Sequence, residues 1–521
     1  MKMDPGASAP LQDRSLTVVD FAVWLLLLPA IFLWIRSLGL VGDDFGLLVE
    51  SLKFPLASSG DELHRPLRNV LCHLLGSLVG VQRVWPYRLL IALSFTADLA
   101  LLFALMRRLG ASRAAGWLAV LAVALFPRNE EVLLWFAAWQ DLVAAGCVLL
   151  ACICFLDYRN STSSFSLTCS AAAYIVALGF KETTAVIPVL LVLLDVYRER
   201  SLAFVRKPAF WRAYIPFAAI LIGYSGYFFA DAGLASLSGR RTGGFYGFHN
   251  VSSALAGLIR AWINLALPFS MLPLGFKTLL PQHLAILAGE LCLALLAVWR
   301  AKALSVLVLA AGWLFFTILP TAAFAAAFNS DRYLFVPFLG VAIFLGLLLD
   351  RTVKSDGRAL YKASIWTALG VYAGFAWFQL STFRDLYKRA GSEAAQIVRV
   401  TVDRASRLPA GGEVDLVDVT AFLDPYIVPV FSTSLGGALQ ANGLSPSIRI
   451  LQNLKADSPE QRRLISGLLA CPHPPGPLAG DRIVLLATNG QVQTVDSSCA
   501  APQIDADRSQ RPKAWRFADA F

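Results

Sequence analysis

Long apolar stretches alternate with short polar segments from the N-terminus to residue 381. A helix of about 20 apolar residues crosses the hydrocarbon core of a bilayer, where only helices and closed barrels satisfy their own backbone hydrogen bonds. The pattern therefore predicts an α-helical polytopic membrane protein with about eleven transmembrane helices. The predicted spans cover residues 15–38, 86–106, 114–126, 132–155, 165–180, 183–196, 214–229, 283–299, 304–320, 333–349 and 364–380.

Two further apolar stretches are predicted to lie along the membrane surface. Residues 70–81 are too short to span comfortably. Residues 251–269 are long enough, but they carry Arg260 at their middle, and a crossing there would move the later basic clusters to the far side. The positive-inside rule argues against that arrangement, so we expect a helix that lies in the interface or dips into the bilayer.

The last part of the chain, residues 382–521, is more polar and holds short alternating apolar runs broken by Gly and Pro. This pattern is typical of a small soluble α/β domain. We therefore expect a transmembrane domain over residues 1–381 and an extracytoplasmic domain over residues 382–521. Cys471 and Cys499 both lie in the second domain, and an exported domain would allow them to form a disulfide.

The composition agrees with a membrane protein. Hydrophobic residues make up 57% of the 521 residues and charged residues only 15%, against about 25% in soluble domains. The net charge is +10, and many of the Arg and Lys residues cluster between apolar runs, which is a topology signal and not a nucleic-acid-binding one. The clusters predict a cytoplasmic N-terminus, with the first span retained as a signal anchor in a bacterial-type inner membrane.

Charged residues recur at the span ends that are predicted to face away from the cytoplasm. Asp43 and Asp44 follow the first span, where they either solvate a loop or provide a general base or cation site. Taken singly, the later charges have ordinary explanations, such as a local ion pair between Lys181 and Glu182 or a helix cap at Asp331. Their recurrence on one side favours a functional site. The predicted catalytic residues are Asp43, Asp44, Glu130 and Asp141, the predicted phosphate-binding residues are Arg65, Lys181, Arg240 and Arg332, and the supporting residues are His64, Glu131, Glu182, Asp331 and Tyr333.

This set of acids and cations suits glycosyl transfer from a lipid-phosphate sugar. A carboxylate takes the proton of the acceptor hydroxyl as the hydroxyl attacks the anomeric carbon, and cations stabilise the departing phosphate. The sequence shows no Gly-rich nucleotide-binding loop and no His or Cys group with zinc-ligand spacing, so we expect a lipid-linked donor and no cofactor. Adjacent residues point in different directions, and Asp43 is the expected base.

Several short motifs stand in order along the chain. They are Asp43-Asp44 after the first span, Arg-Pro-Leu at 65–67, Pro-Arg-Asn-Glu-Glu-Val at 127–132 with Trp135 and Asp141, Gly-Phe-Lys-Glu-Thr at 179–183, and Asp-Arg-Tyr-Leu at 331–334 with Pro337. Together they resemble the GT-C class of polytopic glycosyltransferases, and within it the transmembrane O-mannosyltransferases that carry tetratricopeptide repeats. The chain differs from that branch in lacking the repeats and in having Pro-Arg-Asn where the family tends to have His. The resemblance implies a GT-C fold and inverting transfer from a polyprenyl-phosphate sugar, with Asp43 as base.

Two other functions stay open at the level of sequence. A transporter or flippase of lipid-linked glycans would also need cations and a cavity, but it should show matched inverted halves with charges near mid-span, which the sequence does not show. A non-catalytic scaffold for cell-envelope assembly would need no base. The leading hypothesis is an inverting, mannosyltransferase-like hexosyltransferase. Its expected partners are a polyprenyl-phosphate sugar, membrane lipids and an extracytoplasmic glycan, lipid or protein acceptor.

Overall fold

The computed structural model describes most of the chain. The described residues are 17–53, 65–200, 203–206, 208–237, 251–266, 288–289, 291–292, 295–296, 298–299, 303–324, 330–355, 359–420, 422–423, 428–431, 435, 438–439, 442–445, 447–454, 458–472, 482–488, 491–510 and 515–517.

Helices account for the described structure before residue 406. Their bounds are α1 Val18–Ile35, α2 Asp44–Lys53, α3 Pro66–Val79, α4 Trp85–Arg108, α5 Arg113–Ala124, α6 Glu130–Leu134, α7 Trp139–Ser161, α8 Ser164–Phe180, α9 Ile187–Glu199, α10 Pro208–Leu237, α11 Val251–Ala266, α12 Leu304–Phe324, α13 Phe335–Ser355 and α14 Ala359–Ala405.

The chain is an integral membrane protein. Among the described residues, five helical segments are long and apolar enough to cross a bilayer, and α5 and α8 are shorter apolar helices. The expected number of about eleven spans is therefore supported only in part. The expected span over 283–299 falls largely outside the described residues. The five segments are Val18–Ile35, Trp85–Arg108, Phe136–Ser161, Leu304–Ala322 and Asp331–Arg351.

The two stretches expected at the membrane surface both form helices that are not among the five candidate spans. Pro66 begins α3, since the fixed φ of proline fits a first helical turn, and Gly80 follows the helix with a φ of 77°. The second stretch forms α11, a markedly amphipathic helix that carries Arg260.

The expected span over 132–155 is broken in the structure. Helix α6 ends at Leu134, Trp135 is extended with φ −111° and ψ 119°, and a 3₁₀ turn over Phe136–Ala138 leads into α7. Buried side chains from elsewhere replace the lost helical hydrogen bonds. Arg88 donates to the carbonyl oxygen of Leu134 at 2.8 Å, and the carboxylate of Asp44 accepts from the backbone N–H of Ala137 at 2.6 Å. The break therefore exists because the site residues occupy its backbone groups.

The expected last span over 364–380 is part of a much longer helix. Helix α14 has 47 residues and continues through residue 382, where the sequence pattern predicted the start of the second domain. It packs against the segment from Pro127 to Leu134 and against strands that follow it in the chain. The boundary at 382 stays a prediction, but the two regions share this helix.

A five-stranded sheet follows α14. Its strands lie in the order β6-β5-β1-β4-β7, with β1 parallel to β4 and β5 and with antiparallel strands at both edges. The central strand β1 is buried along almost its whole length, as expected for a parallel strand covered on both faces. The bounds are β1 Glu413–Val419, β2 Phe422–Leu423, β3 Val428–Pro429, β4 Arg449–Leu454, α15 Pro459–Leu469, β5 Arg482–Thr488, β6 Gln491–Val495, α16 Ser497–Gln510 and β7 Trp515–Phe517.

Helices α15 and α16 pack against each other beside this sheet. The predicted disulfide is present and joins Cys471, just after α15, to Cys499 in the first turn of α16. The polar C-terminal region therefore has the mixed helix and strand content that the sequence predicted.

Candidate active site

Asp44 is buried, and its carboxylate connects two loops through hydrogen bonds to their backbone. One carboxylate oxygen accepts from the backbone N–H of Val41 at 2.9 Å, and the other accepts from that of Ala137 at 2.6 Å. Burial raises the pKa of Asp44 to about 7, although the nearby guanidinium of Arg88 opposes this rise. Both carboxylate oxygens are thus committed to the backbone, which makes Asp44 a positioning group.

Asp43 lies one residue earlier, in the turn before α2, and is half-buried. Its carbonyl oxygen accepts from the backbone N–H of Leu47 and so closes the first turn of α2. Gly42 precedes it with a φ of 53°, a left-handed conformation that glycine adopts without strain. Of the two adjacent acids, Asp43 is therefore the more exposed.

Arg88 was not predicted as a site residue, yet it holds the acid pair in place. It is fully buried in the first turn of α4 and donates to the carbonyl oxygens of Leu38, Gly39 and Leu134. Its three acceptors belong to the loop before Asp43 and to the break before α7. A single guanidinium therefore ties these two segments together near Asp44.

Arg65 and Glu182 form a bidentate ion pair. The Arg65 guanidinium donates to both carboxylate oxygens of Glu182 at 2.9 Å and to Oε1 of Gln140 at 3.2 Å. Burial alone would raise the pKa of Glu182, but the positive charges of Arg65 and Lys181 outweigh it and lower the pKa to about 2. This pair fixes the start of α3 against the corner between α8 and α9.

Lys181 does not pair with its neighbour Glu182, as a local turn would require. Its ammonium is almost fully buried, lies 2.8 Å from Oδ1 of Asp141 and sits 4.4 Å from the centre of the Tyr333 ring. Burial lowers the pKa of Lys181 to about 8, against the opposing effect of Asp141. The contact with Asp141 lacks hydrogen-bond geometry, and Nζ has no hydrogen-bond partner among the described residues. The buried ammonium is thus paired with one carboxylate and lies against one aromatic ring.

A second group of charges gathers around Asp331. Arg128 donates to both of its carboxylate oxygens, at 3.0 and 2.8 Å, and is itself buried. Asp331 is therefore the partner of a distant guanidinium and not a side-chain cap of the following helix. Glu130 lies beside this pair, and burial together with the charge of Asp331 raises its pKa well above the usual range. Glu130 is accordingly the natural holder of a proton in this group.

Glu131 holds the turn that contains Arg332. Its carboxylate accepts from the backbone N–H of Arg332 at 3.1 Å and from the hydroxyl of Ser330. The guanidinium of Arg332 lies over two aromatic rings, 4.8 Å from the centre of Trp135 and 5.2 Å from that of Tyr333. We call Lys181 and Arg332 the cation pair, because both lie over the ring of Tyr333 and the charge of Arg332 helps to lower the pKa of Lys181.

Tyr387 of α14 joins the two groups to the acid pair. It is buried, and its hydroxyl lies within electrostatic range of Glu131, Glu130, Asp44 and Arg332. Burial and these carboxylates raise its pKa well above the usual range. Charged residues from six separate parts of the sequence therefore gather in one region of the structure.

An open cleft adjoins this site on the other side of the turn at 330–334. It has a void of about 440 Å³ when space open to solvent is included. Its lining includes Arg260, Asn264, Thr321, Asp331 and Tyr333. The buried side-chain oxygen of Asn264 has no hydrogen-bond partner among the described residues. The cleft thus offers polar groups directly beside the ion cluster.

The structure places most of the predicted site residues together at one end of the helices. Asp43 lies at the margin of this cluster, and Arg240 and His64 fall outside the described residues. Among described residues, no group of three or more His, Cys, Asp and Glu side chains is arranged to hold a metal ion. The structure also brings into the cluster four residues that carry no predicted role: Arg88, Arg128, Gln140 and Tyr387.

The architecture has a match among solved structures. The crystal structure of ArnT from Cupriavidus metallidurans bound to undecaprenyl phosphate aligns over 92% of this chain and 98% of its own, with a TM-score of 0.54 and 13% identity. The chain has the fold of ArnT. The apo form of ArnT gives a TM-score of 0.53 with 14% identity, over 91% of this chain and 98% of ArnT. The expected GT-C class of fold is thereby supported, whereas the tetratricopeptide O-mannosyltransferase branch is not confirmed.

A looser likeness extends to the arabinofuranosyltransferase AftD from Mycobacteria, with a TM-score of 0.46 and 16% identity over 89% of this chain and 36% of AftD. No protein-family model and no curated protein sequence matches the chain.

Proposed function

We propose that the protein is an inverting glycosyltransferase that moves a monosaccharide from a polyprenyl-phosphate donor to an extracytoplasmic acceptor. The observation that carries this proposal is the cation pair. Lys181 and Arg332 both lie over one aromatic ring, close to several carboxylates, in a fold shared with a protein that binds undecaprenyl phosphate. The shared fold supports a polyprenyl-phosphate partner without identifying the sugar.

The cation pair stabilises the phosphate that leaves. Negative charge grows on the phosphate oxygen as its bond to the anomeric carbon breaks, and cations positioned in advance in a dry site are worth most there. Lys181 supplies a buried ammonium beside Asp141, and Arg332 is held over its rings by Glu131. Arg65 is engaged with Glu182, so its part in phosphate binding is to hold the corner that carries Lys181.

The acid pair supplies the base. Both oxygens of Asp44 accept hydrogen bonds from the backbone, which leaves Asp43 to receive the acceptor's proton. As the acceptor oxygen forms its bond to the anomeric carbon, its proton passes to Asp43 and the carbon–oxygen bond to the phosphate breaks. The products are the glycosylated acceptor with inverted configuration and free polyprenyl phosphate.

The decisive test is Asp43→Asn in purified protein in lipid, screened against polyprenyl-phosphate sugars with release of polyprenyl phosphate as the measurement. We expect release to fall by about 10²–10⁴-fold, because general base catalysis contributes that much. The matched control is Asp385→Asn, which removes an exposed acid of α14 and should leave release unchanged. Unchanged release in Asp43→Asn would remove the catalytic assignment. Transport of the donor without release would instead indicate a flippase.

The order of donors to test follows from the sequence motifs. Their likeness to O-mannosyltransferases makes a polyprenyl-phosphate mannose or related hexose the first donor. The acceptors to compare are a cell-envelope glycan, a lipid and a protein. The proposed topology, with the site on the extracytoplasmic side of an inner membrane, is testable by reaction of a single introduced cysteine beside Asp43 with an impermeant thiol reagent.

A further inference from the structure

The loop that carries the acid pair, residues 38–45, makes contacts on two sides. We call these residues the acid loop. On one side Arg88 of α4 donates to the carbonyl oxygens of Leu38 and Gly39. On the other side the loop meets α14 and the segment after β3, which lie some 350 or more residues later in the chain. The position of Asp43 therefore depends on contacts that the transmembrane helices alone do not supply.

The first of these contacts is a crossing of two backbones. A Cβ added to Gly39 would lie 3.0 Å from Cα of Gly391, and a Cβ added to Gly391 would lie 2.8 Å from Cα and 2.9 Å from N of Gly39. The atoms in the way belong to the backbone, so no side-chain rotation would relieve the overlap. Neither glycine has a positive φ, so the close approach alone explains the requirement for glycine. Ala390 and Ala394 flank Gly391 on the same buried face of α14.

The second set of contacts is made by residues that flank Asp43 in the sequence. The backbone N–H of Gly42 donates to the carbonyl oxygen of Val430 at 2.9 Å. The ring of Phe45 stacks on that of Phe431, with 6.2 Å between their centres. Val430 and Phe431 are both fully buried and immediately follow β3. The residue before Asp43 and the residue two positions after it are thus attached to the C-terminal region.

We propose that the C-terminal region sets the position of the catalytic base, and that Gly39 and Gly391 are positioning residues of the reaction. The acid loop is clamped between Arg88 and α14, and Phe431 and Val430 fix the turn in which Asp43 lies. These clamp contacts are made by the acid loop, whereas the described side-chain contacts of the cation pair are to Asp141, Trp135 and Tyr333. Displacement of α14 therefore moves the base relative to the phosphate site. The inference rests on the proposed role of Asp43.

The test is Gly391→Ala, with Gly374→Ala as the matched control. Both glycines lie in α14, where alanine is the better helix former, but a Cβ at Gly374 meets no atom within 4 Å. Local helix propensity therefore predicts the same small stabilisation for both variants. We expect turnover to fall by about 100-fold in Gly391→Ala, since a shift of about 1 Å at a reacting group costs that much. Turnover in Gly374→Ala should be that of the unmodified protein.

Binding of polyprenyl phosphate, measured by fluorescence quenching or calorimetry, separates positioning from general damage. In Gly391→Ala the affinity for this product should stay unchanged while turnover falls. Full turnover in Gly391→Ala would overturn the inference, and so would a parallel loss of turnover, affinity and thermal stability. If Gly391→Ala does not fold, Phe431→Ala removes the stacking contact without introducing an overlap and should give the same split between turnover and affinity.

The variant Gly39→Ala probes the same contact from the other side. The effects of Gly39→Ala and Gly391→Ala should be strongly non-additive in the double variant, because both break one contact. Additive losses would contradict a shared positioning role. If Asp43→Asn keeps full activity, the proposed base is wrong whatever these variants do, whereas an inactive Asp43→Asn beside a fully active Gly391→Ala refutes only the present inference.

Discussion

Charged side chains are paired differently at the two ends of the helices. At the end away from the site, each buried or half-buried acid has its own donor. Asp20 at the start of α1 accepts from Arg113 and Trp117, and Asp157 near the end of α7 accepts from Arg108. Asp195 near the end of α9 is likewise shared by Arg159 and Tyr214. Each of these acids therefore forms a separate ion pair that joins two neighbouring helices.

At the site end the charges are shared. Asp331 serves Arg128 and also faces Glu130, while Lys181 and Arg332 rest on aromatic rings. Burying this many charges together is costly, because each charge loses its hydration. Ion pairs that only join two helices do not need a shared arrangement of this kind. The difference between the ends is what the proposed binding of a ligand with negative charge predicts.

The largest expected effect tests this difference at Lys181. Lys181→Met removes the buried ammonium and should lower kcat/KM for a polyprenyl-phosphate sugar by about 10²–10³-fold, as the loss of one preorganised electrostatic contact does. Lys388→Met makes the same chemical change at an exposed position of α14 and should have no effect. Activity and thermal melting are measured for both.

Lys181→Met also leaves Asp141 without its cation, so the double variant with Asp141→Asn is the control for that charge. If the double variant recovers stability but not turnover, the ammonium acts on the substrate. Recovery of turnover together with stability would show that Lys181 serves only to neutralise Asp141.

A smaller effect concerns pH. The pKa of Lys181 is about 8 because the ammonium is buried, so the charged form prevails below this value and is lost above it. The affinity for polyprenyl phosphate should therefore fall by about tenfold for each pH unit above about 8. A phosphate monoester has its second pKa near 6 and stays doubly charged over this range. Binding measured between pH 7 and pH 9.5 should lose this dependence in Lys181→Arg, whose charge does not titrate there.

The sequence predicted elements well where burial is local and periodic. Helices α4, α8 and α12 start and end close to the expected apolar runs, because hydrophobicity over a run reports directly on membrane insertion. The break at Trp135 was not predictable in this way. Its flanking residues are as apolar as those of a continuous span, and the groups that stabilise it are Asp44 and Arg88, which lie at least 47 residues earlier.

The candidate site, like the fold, could be predicted from the sequence only in part. The sequence identified the charged residues at span ends, since ionisable groups near a membrane are conspicuous. It did not identify their partners. Lys181 and Glu182 were expected to pair if they were structural, yet the structure pairs them with Asp141 and Arg65, respectively. Which acid meets which base depends on helix packing, and no local pattern encodes it.

Residues of α14 were the hardest to foresee. Tyr387 and Gly391 follow the point at residue 380 where the apolar run ends, so the sequence assigned them to the soluble domain. Their burial comes from the acid loop and from the segment around Glu130. A face formed by Tyr387 and the small residues at 390, 391 and 394 is the one signal that would have indicated a continued, tightly packed helix.

The smallest expected effect is at the opposite end. Asp157→Asn breaks the ion pair with Arg108, whose oxygen and nitrogen lie 2.6 Å apart, but both side chains are partly exposed. A pair of this kind contributes about 0–1 kcal/mol, so the free energy of unfolding should change by no more than that. Turnover and affinity for polyprenyl phosphate should not change at all, because this residue lies at the far end of α7 from Asp141. A loss of turnover comparable to that of Lys181→Met would mean that the two ends are coupled. The contrast between ion pairs that join helices and a charged cluster that a ligand completes would then be wrong.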